Sequence, residues 1–387
     1  MELLSQYTTL GLGGPAASFV TATTDEGLIE AVKTADAAGQ PVLILGGGSN
    51  LVIGDDGFPG TVIQVGTRGV AYERTDGHVQ VTVAAGENWD DIVATTVSEG
   101  LAGLECLSGI PGRAGATPIQ NVGAYGQEVS EAITSVRVFD RLTGTPTTLQ
   151  NGQCQFSYRN SMFKRTTLPA ASGRSATPVG SVAGSRYLVL GVTFGLHDEK
   201  LSRPVRYAEL ASELGVETGM RVSCGDARQA VLTIRGRKGM VVSPDDPDSR
   251  SAGSFFTNPI VDAGQLARVE SVASDRGLGA VPRFPASGDN LVKIPAAWLI
   301  ERSGFTKGYG TPGGARVSCK HTLALVNGGA ATTGDLLALA REIVGGVQAA
   351  FGVTLEPEPI LVGATLSLGV AASFWPSLGG EPFVHAG

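Results

Sequence analysis

The glycine-rich segment 109–126, GIPGRAGATPIQNVGAYG, constrains this chain more than any other stretch. Glycine lets bare backbone N–H groups approach a ligand closely, and successive N–H groups form a concave anion site. A second cluster, GGGSN at 46–50, directly follows the apolar run 41–45, which predicts a short buried strand. Two such loops indicate one extended ligand with a pyrophosphate, and a dinucleotide fits best.

A third glycine cluster, GLGGPA at 11–16, matches the loose nicotinamide fingerprint G-x-G-x-x-A. That fingerprint needs a strand before it and a helix after it. Residues 5–10 are too polar for a central parallel strand, and the residues after Pro15 predict an extended segment. We therefore expect no Rossmann-type nucleotide site here.

Length and charge narrow the class of protein. A chain of 387 residues exceeds one ordinary core, so two or three domains are expected. A net charge of −7 with scattered basic residues argues against nucleic acid as a partner. Four widely separated cysteines and an N-terminus without the features of a signal peptide predict reduced thiols in a cytoplasmic protein.

The spacing of apolar residues predicts an alternation of helices and strands. Strand-like patterns dominate residues 61–139. Helical spacing occurs at 27–38, 88–100, 226–234, 265–276 and 333–351. This alternation predicts α/β domains that flank a mixed sheet.

Two segments fall outside this pattern. Residues 165–186 are rich in Thr, Ala, Ser and Gly and predict an extended surface loop. Residues 359–380 carry no charge, which leaves a membrane anchor open for the C-terminal tail, 364–387. Polar residues and Pro376 interrupt that tail and no basic residue flanks it, so we expect a loose or docked tail and no anchor.

Five motifs in order resemble the UDP-N-acetylenolpyruvoylglucosamine reductases, flavoenzymes of peptidoglycan precursor synthesis. They are GGGSN at 46–50, SGIPG…GATPIQNVGAYG at 108–126, YRNSMFK at 158–164, AGSFFTNP at 252–259 and LEPEP at 355–359. The resemblance runs from about Tyr7 to about Gly363. It implies a three-domain α+β and α/β flavoprotein, with a two-domain FAD-binding half like that of vanillyl-alcohol oxidase and a separate α/β substrate domain.

The resemblance also implies domain boundaries. The first FAD-binding subdomain would span 1–66, completed by 357–363, and the second would span 67–203. Residues 204–224 would form a lid and linker, and 225–356 the substrate domain.

The implied cofactor is non-covalent FAD, with NADPH as co-substrate. None of the four histidines lies in either glycine loop, so no histidyl link to the flavin is expected. No metal is implied, and a monomer is expected. The implied cofactor-binding residues are Gly46, Gly47, Gly48, Ser49, Asn50, Gly109, Ile110, Pro111, Gly112, Gly115, Ala116, Gln120, Asn121, Gly123, Ala124, Tyr125 and Gly126.

The implied reaction adds hydride and a proton to the enolpyruvyl ether of a UDP-sugar, giving UDP-N-acetylmuramate. An enol ether is a poor hydride acceptor, so charge must be stabilised on its carboxylate and an acid must deliver the proton. By resemblance Ser254 is the proton donor, while Arg159 and Glu358 are the pair that polarises the carboxylate.

By resemblance the substrate is bound by five further residues: Tyr207, Lys238, Asn258, Phe284 and His321. Tyr207 lies in a stretch, RPVRYAEL at 203–210, that resembles an inserted lid loop found in one branch of the family. Lys238 is the implied diphosphate contact, with Arg235 and Arg237 as weaker candidates.

Two other classes of function stay open at this point. An oxidase on the same scaffold would use oxygen and commonly tethers FAD to histidine, which leaves the Ser254 and Glu358 motifs unexplained. A non-catalytic nucleotide-binding regulator would be expected to lack at least one of Arg159, Ser254 and Glu358, yet all three are present.

Overall fold

A computed structural model describes residues 2–166, 168, 184–286, 288 and 290–366. Most of the predicted loop and most of the predicted tail lie outside the described residues. Among the described residues, no helix combines the length and the apolar character that crossing a bilayer requires.

The N-terminal part is a small parallel sheet with a crossover helix. Its elements are β1 (Ala16–Ala22), α1 (Asp25–Ala37), β2 (Val42–Leu45), β3 (Leu51–Ile53) and β4 (Phe58–Val65). Strands β1 and β2 both pair in parallel with β4, which lies between them. Thr24 caps α1, and its side chain accepts a hydrogen bond from the backbone N–H of Gly27. Both faces of this sheet are covered, which explains the uninterrupted apolar run of β2.

The second part is a larger antiparallel sheet with the order β11-β10-β12-β6-β5, and β7 pairs with β12. Its strands are β5 (Val70–Thr75), β6 (His78–Ala84), β7 (Leu101–Ala102), β10 (Ile133–Asp140), β11 (Thr145–Gln150) and β12 (Tyr187–Asp198). A short hairpin is formed by β8 (Gly123–Ala124) and β9 (Gln127–Glu128). The helices are α2 (Trp89–Ser98), α3 (Thr117–Gln120) and α4 (Met162–Arg165). Alternate valines of β6 are buried and share one core with α1 and α2.

The third part combines short antiparallel strands with longer helices. The helices are α5 (Ala208–Leu214), α6 (Cys224–Arg237), α7 (Ala263–Asp275), α8 (Ala296–Arg302) and α9 (Thr333–Phe351). The strands are β13 (Ser251–Ser254), β14 (Ile260–Val261), β15 (Phe284–Pro285), β16 (Val292–Lys293), β17 (Ala315–Val317), β18 (Ala324–Asn327) and β19 (Ile360–Val362). Strand β18 lies between β13 and β17, and the buried face of α9 packs in the same core.

The parts are joined by long-range pairing. Strand β19 returns to pair in parallel with β3, at the other end of the chain. Helix α6 packs with α5 and with Cys106 of the second part, so the start of the predicted substrate domain contacts the predicted FAD-binding half. The domain boundaries given above stay predictions.

The glycine cluster at 11–16 leads into strand β1 and not into a helix. It is preceded by a short 3₁₀ helix, Leu4–Tyr7, where a Rossmann unit would have a strand. The predicted extended segment after Pro15 is therefore confirmed, and the strand and helix that the fingerprint requires do not flank this cluster.

Candidate active site

The two glycine loops meet backbone to backbone. A Cβ atom on Gly47 would lie 2.7 Å from Cα of Gly112, so a side chain at this position would force the loops apart. Gly48 has a φ of +61°, and a Cβ there would lie 1.9 Å from the carbonyl oxygen of Tyr7. The Ser49 hydroxyl donates a 2.9 Å hydrogen bond to the carbonyl oxygen of Pro111. These contacts explain why the sequence needs glycine in both loops.

A cavity opens where the two loops meet, and most of the predicted cofactor residues line it. The predicted residues on its wall are Gly46, Gly47, Gly48, Ser49, Asn50, Ile110, Pro111, Gly112, Gly115, Ala116, Gln120 and Gly123. Apolar side chains, among them Ile44, Val65 and Ile119, form much of the remaining wall. The cavity therefore combines exposed loop backbone with an apolar surface.

The remaining predicted cofactor residues, Gly109, Asn121, Ala124, Tyr125 and Gly126, do not line the cavity. Asn121 is fully buried, and its Nδ2 donates to the carbonyl oxygen of Ser157 at 3.0 Å and to Glu128 at 2.8 Å. The polar group of this side chain is used to fix a neighbouring turn. These hydrogen bonds give Asn121 a role in folding, and its contact with the cofactor stays a prediction.

Three buried polar atoms on the cavity wall have no hydrogen-bond partner. They are Oε1 of Gln120, Nε of Arg159 and Nε of Arg235. Buried polar atoms in folded proteins are almost always paired, so these indicate a ligand that brings both donors and acceptors. A flavin has a flat apolar ring system, ring donors and acceptors, and phosphates, and the residues present fit it.

The predicted catalytic residues come together on the same wall, although they are far apart in the sequence. Nε of Arg159 lies 3.2 Å from Oε1 of Glu358, at an angle that leaves Nε without a hydrogen bond. The backbone N–H of Glu358 donates to the carbonyl oxygen of Phe255 at 2.9 Å, which places Glu358 beside the strand that carries Ser254. All three side chains are partly exposed to the cavity.

Backbone irregularities aim two of these side chains. Arg159 is a non-glycine residue with a φ of +53°, within a tight turn in which Ser157 and Asn160 exchange backbone hydrogen bonds. Strand β13 has a register shift between Ser251 and Ser254, and Gly253 there has a φ of +74°. Strained residues and bulges of this kind are concentrated at functional sites, where they redirect a side chain.

Tyr207 and Lys238 lie beside the cavity and not on its wall. The ring of Tyr207 contacts the ring of Tyr125 edge to face, with 5.6 Å between centroids. The Lys238 ammonium lies 5.9 Å from the centroid of Tyr125 and 2.6 Å from Oε2 of Glu209. A tyrosine, a lysine and a glutamate from the predicted lid and its neighbours thus surround the Tyr125 ring.

The other three predicted substrate residues also lie off the cavity wall. Oδ1 of Asn258 accepts a 2.9 Å hydrogen bond from the backbone N–H of Ala296. Phe284 is exposed on strand β15. Burial, together with the positive charges of Lys238 and Lys307, lowers the pKa of His321 to about 4.

Sequence reasoning ranked Arg235 as a weaker contact, yet it is a prominent group on the wall. Its guanidinium is almost fully buried, and Nη2 donates to the carbonyl oxygen of Met240 at 2.8 Å. Burial lowers the pKa of Arg235 from its usual value. A signal was present, because Arg235 follows Val231 by one helical turn on the buried face of α6, where a charged residue is rare unless it has a partner.

Other wall residues were missed altogether. Trp89, Arg113, Tyr187, Leu188 and Val189 line the cavity. Trp89 is the first residue of helix α2. Tyr187–Val189 begin a strand whose approach to the cavity has no local sequence signal.

Comparison with known proteins identifies the family. Residues 16–150 match the family described as FAD binding domain, and residues 245–362 match the C-terminal domain of UDP-N-acetylenolpyruvoylglucosamine reductase. A protein of that name from Thermobifida fusca is 53% identical over 365 residues, which cover 94% of this chain and 97% of the relative. Another, from Streptomyces coelicolor, is 56% identical over 367 residues, with 94% and 90% covered.

A solved structure extends the likeness to the fold. The crystal structure of UDP-N-acetylenolpyruvylglucosamine reductase from Thermus caldophilus superposes with a TM-score of 0.58 at 26% identity. The superposition covers 93% of this chain and 97% of that chain. Three findings indicate the same family: the sequence identity over nearly the whole chain, the two matching domain families and the shared fold. The chain belongs to the UDP-N-acetylenolpyruvoylglucosamine reductase family.

Proposed function

We propose that this chain reduces UDP-N-acetylglucosamine enolpyruvate to UDP-N-acetylmuramate with NADPH, through non-covalently bound FAD. The observation that carries the proposal is the convergence of Arg159, Ser254 and Glu358 on the wall of the glycine-loop cavity. The product is a precursor of peptidoglycan.

FAD, when bound, supplies the hydride chemistry that links NADPH to the sugar. The loops 46–50 and 110–116 would hold its pyrophosphate, because their glycines leave backbone free to approach phosphate oxygens. The buried guanidinium of Arg235 and the amide of Gln120 would satisfy its polar atoms, since both carry atoms without a protein partner.

Arg159 and Glu358 would stabilise the charge that develops on the substrate carboxylate. A guanidinium stays protonated in proteins and offers several donors, so Arg159 is suited to bind a carboxylate that gains negative charge. Glu358 lies 3.2 Å from Nε of that guanidinium and would keep it oriented toward the cavity.

Ser254 would deliver the proton that completes the reduction. A hydroxyl is a weak acid, so it can act only beside a strongly basic carbon. The bulge at Gly253 places Ser254 on the cavity wall next to the segment that carries Glu358. The donor and the polarising pair therefore border the same space.

The lid would close on the nucleotide part of the sugar substrate. Tyr207 already packs against Tyr125, and Lys238 is paired with Glu209, which lies two residues after Tyr207. A diphosphate that reaches Lys238 would compete with Glu209 for its ammonium. On this proposal the chain would belong to the branch of the family that has a tyrosine-bearing lid.

The proposal places the reaction in the cytoplasm. All four cysteines have free thiols, and three of them are buried. Free thiols are typical of reducing compartments, in which nicotinamide co-substrates are also found.

The test separates the two half-reactions of Ser254→Ala by anaerobic stopped-flow measurement of flavin absorbance. Reduction by NADPH should stay near the wild-type rate, because the proton is needed only after the hydride has left. Re-oxidation by the enolpyruvyl sugar should slow by a factor of ~10²–10⁴, as is typical when a general acid is lost. Ser254→Cys, which keeps a proton donor, is the matched control and should retain more activity than Ser254→Ala.

Two results would contradict the proposal. Equal slowing of both half-reactions would make Ser254 a structural residue. Reduced flavin that reacts quickly with oxygen and not with the sugar would point to an oxidase.

A further inference from the structure

Asp90 joins helix α6 to one of the glycine loops. Its Oδ1 accepts from Nη1 of Arg228 at 2.6 Å, and its Oδ2 accepts from Nη2 at 2.9 Å, which makes a two-point ion pair. Oδ1 also accepts a 2.6 Å hydrogen bond from the backbone N–H of Gly109. One carboxylate therefore fixes both a helix and the first residue of the loop 109–116.

The loop has little freedom at this point. Gly109 has a φ of +69°, and a Cβ there would lie 2.8 Å from Cδ2 of Leu232 on α6. The next three residues, 110–112, line the cavity, and Gly112 is the residue that Gly47 approaches most closely. A shift of Gly109 would move the backbone that faces the ligand.

The carboxylate is held in its charged form. Burial opposes ionisation of Asp90, but the hydrogen bonds from Arg228 and from the Gly109 amide outweigh it, so its pKa lies below the usual value. Charge-assisted hydrogen bonds of this kind are shorter and stronger than neutral ones.

We propose that Asp90, oriented by Arg228, is a positioning residue for FAD. It holds the Gly109 amide and thereby sets the backbone of 110–112 for the cofactor, and the Gly109 N–H is not itself a phosphate donor. The inference rests on the proposed function only in requiring that FAD occupies the cavity.

The competing explanation is an ordinary ion pair between two helices, which would affect stability and leave FAD affinity unchanged. The chain offers two matched controls. Asp91 lies in the same first turn of α2, is exposed, and tests the loss of charge at that helix end. Asp36 makes an equivalent two-point pair with Arg141, at 2.7 Å and 3.1 Å, and neither residue lines the cavity.

The experiment measures FAD release from purified holoenzyme by the fluorescence of free flavin on serial dilution. Asp90→Ala should raise the Kd for FAD by about tenfold, which is the effect expected from the loss of one charge-assisted hydrogen bond. Asp90→Asn should raise the Kd less, because asparagine keeps a hydrogen-bond acceptor. Arg228→Met should raise the Kd in the same direction. The Asp91→Asn and Asp36→Asn variants should stay within about twofold of wild type.

An unchanged Kd in Asp90→Ala would overturn the proposal, as would an equal rise in Asp36→Asn. If Asp90→Ala does not fold, the comparison of Asp90→Asn with Asp91→Asn decides the question. The readout needs no turnover, so failure of the enzyme to reduce the enolpyruvyl sugar would contradict the proposed function and leave this inference standing.

Discussion

His321 should be a neutral histidine throughout the physiological pH range. Burial is the main reason that its pKa is lowered to about 4; the positive charges of Lys238 and Lys307 contribute in the same direction, and Glu301 partly offsets them. A neutral imidazole can both donate and accept a hydrogen bond. We therefore expect that His321 contributes no positive charge to the binding of a diphosphate at pH 7.

The free energy at stake follows from the two pKa values. In the unfolded chain His321 should titrate near 6.5, and in the folded protein near 4. The difference corresponds to about 3 kcal/mol between the two states. Because the folded-state pKa is the lower one, this stabilisation is fully present above pH 6.5 and is lost as the pH falls toward 4.

The assay is NMR of the imidazole ring, which is practical because the chain has only four histidines. The His321→Asn variant assigns the resonance. The signal of His321 should stay at the neutral position from pH 8 to about 5 and move only near pH 4. Thermal unfolding of both proteins should show that wild type loses more stability than His321→Asn between pH 6.5 and 4.

A titration midpoint of His321 at or above pH 6 would refute the reasoning, because burial and the neighbouring cations would then not determine the protonation of the imidazole ring. Parallel pH profiles of unfolding for wild type and His321→Asn would refute the linkage argument.

Three further predictions concern the cavity and its surroundings. In steady-state kinetics, Tyr207→Ala should raise the KM for the UDP-sugar more than the KM for NADPH, since a ring beside the cavity contributes mainly to binding. Tyr72→Ala is the control, and equal KM values in the two variants would contradict this prediction. Glu358→Gln should keep the fold and FAD but slow flavin re-oxidation by the sugar, and a wild-type rate in that half-reaction would remove Glu358 from the site. Gly48→Ala should lose FAD, because its Cβ would collide with backbone atoms. Gly77 has a similar positive φ but open space around it, so Gly77→Ala should lower the free energy of unfolding by about 1 kcal/mol and keep its full flavin content; equal FAD content in the two variants would refute the steric argument.

The local elements were predictable because their causes are local. Thr24, Asn88 and Thr332 lie at the N-terminal ends of stretches with helical spacing, and each side chain caps its own helix. The strand before the first glycine loop was likewise predicted from its apolar run and the turn residues around it. Family resemblance then supplied cofactor and reaction from ordered motifs.

In the glycine loops, the sequence did not predict which residues face the cavity and which contact other parts of the protein. The sequence marked the whole segment 109–126 for the cofactor, yet Asn121 and Gly109 are engaged by protein groups, Ser157 and Asp90. Whether a loop amide faces a ligand or a neighbouring carboxylate depends on what packs against the loop. That neighbour comes from another part of the chain.

By itself, the sequence determined the longer helices, the strand before the first glycine loop and the need for bare backbone in two loops, because each depends on neighbours within a few positions. Its ordered motifs gave the residue types of the reaction through resemblance to a family. Only the tertiary structure decided that Arg159, Ser254 and Glu358 border one cavity and that Arg235 points a buried charge at it. It also decided that α6 packs on the flavin-binding half. These outcomes depend on contacts between residues far apart in the chain, which form only when separate elements pack and exclude water from their common surfaces.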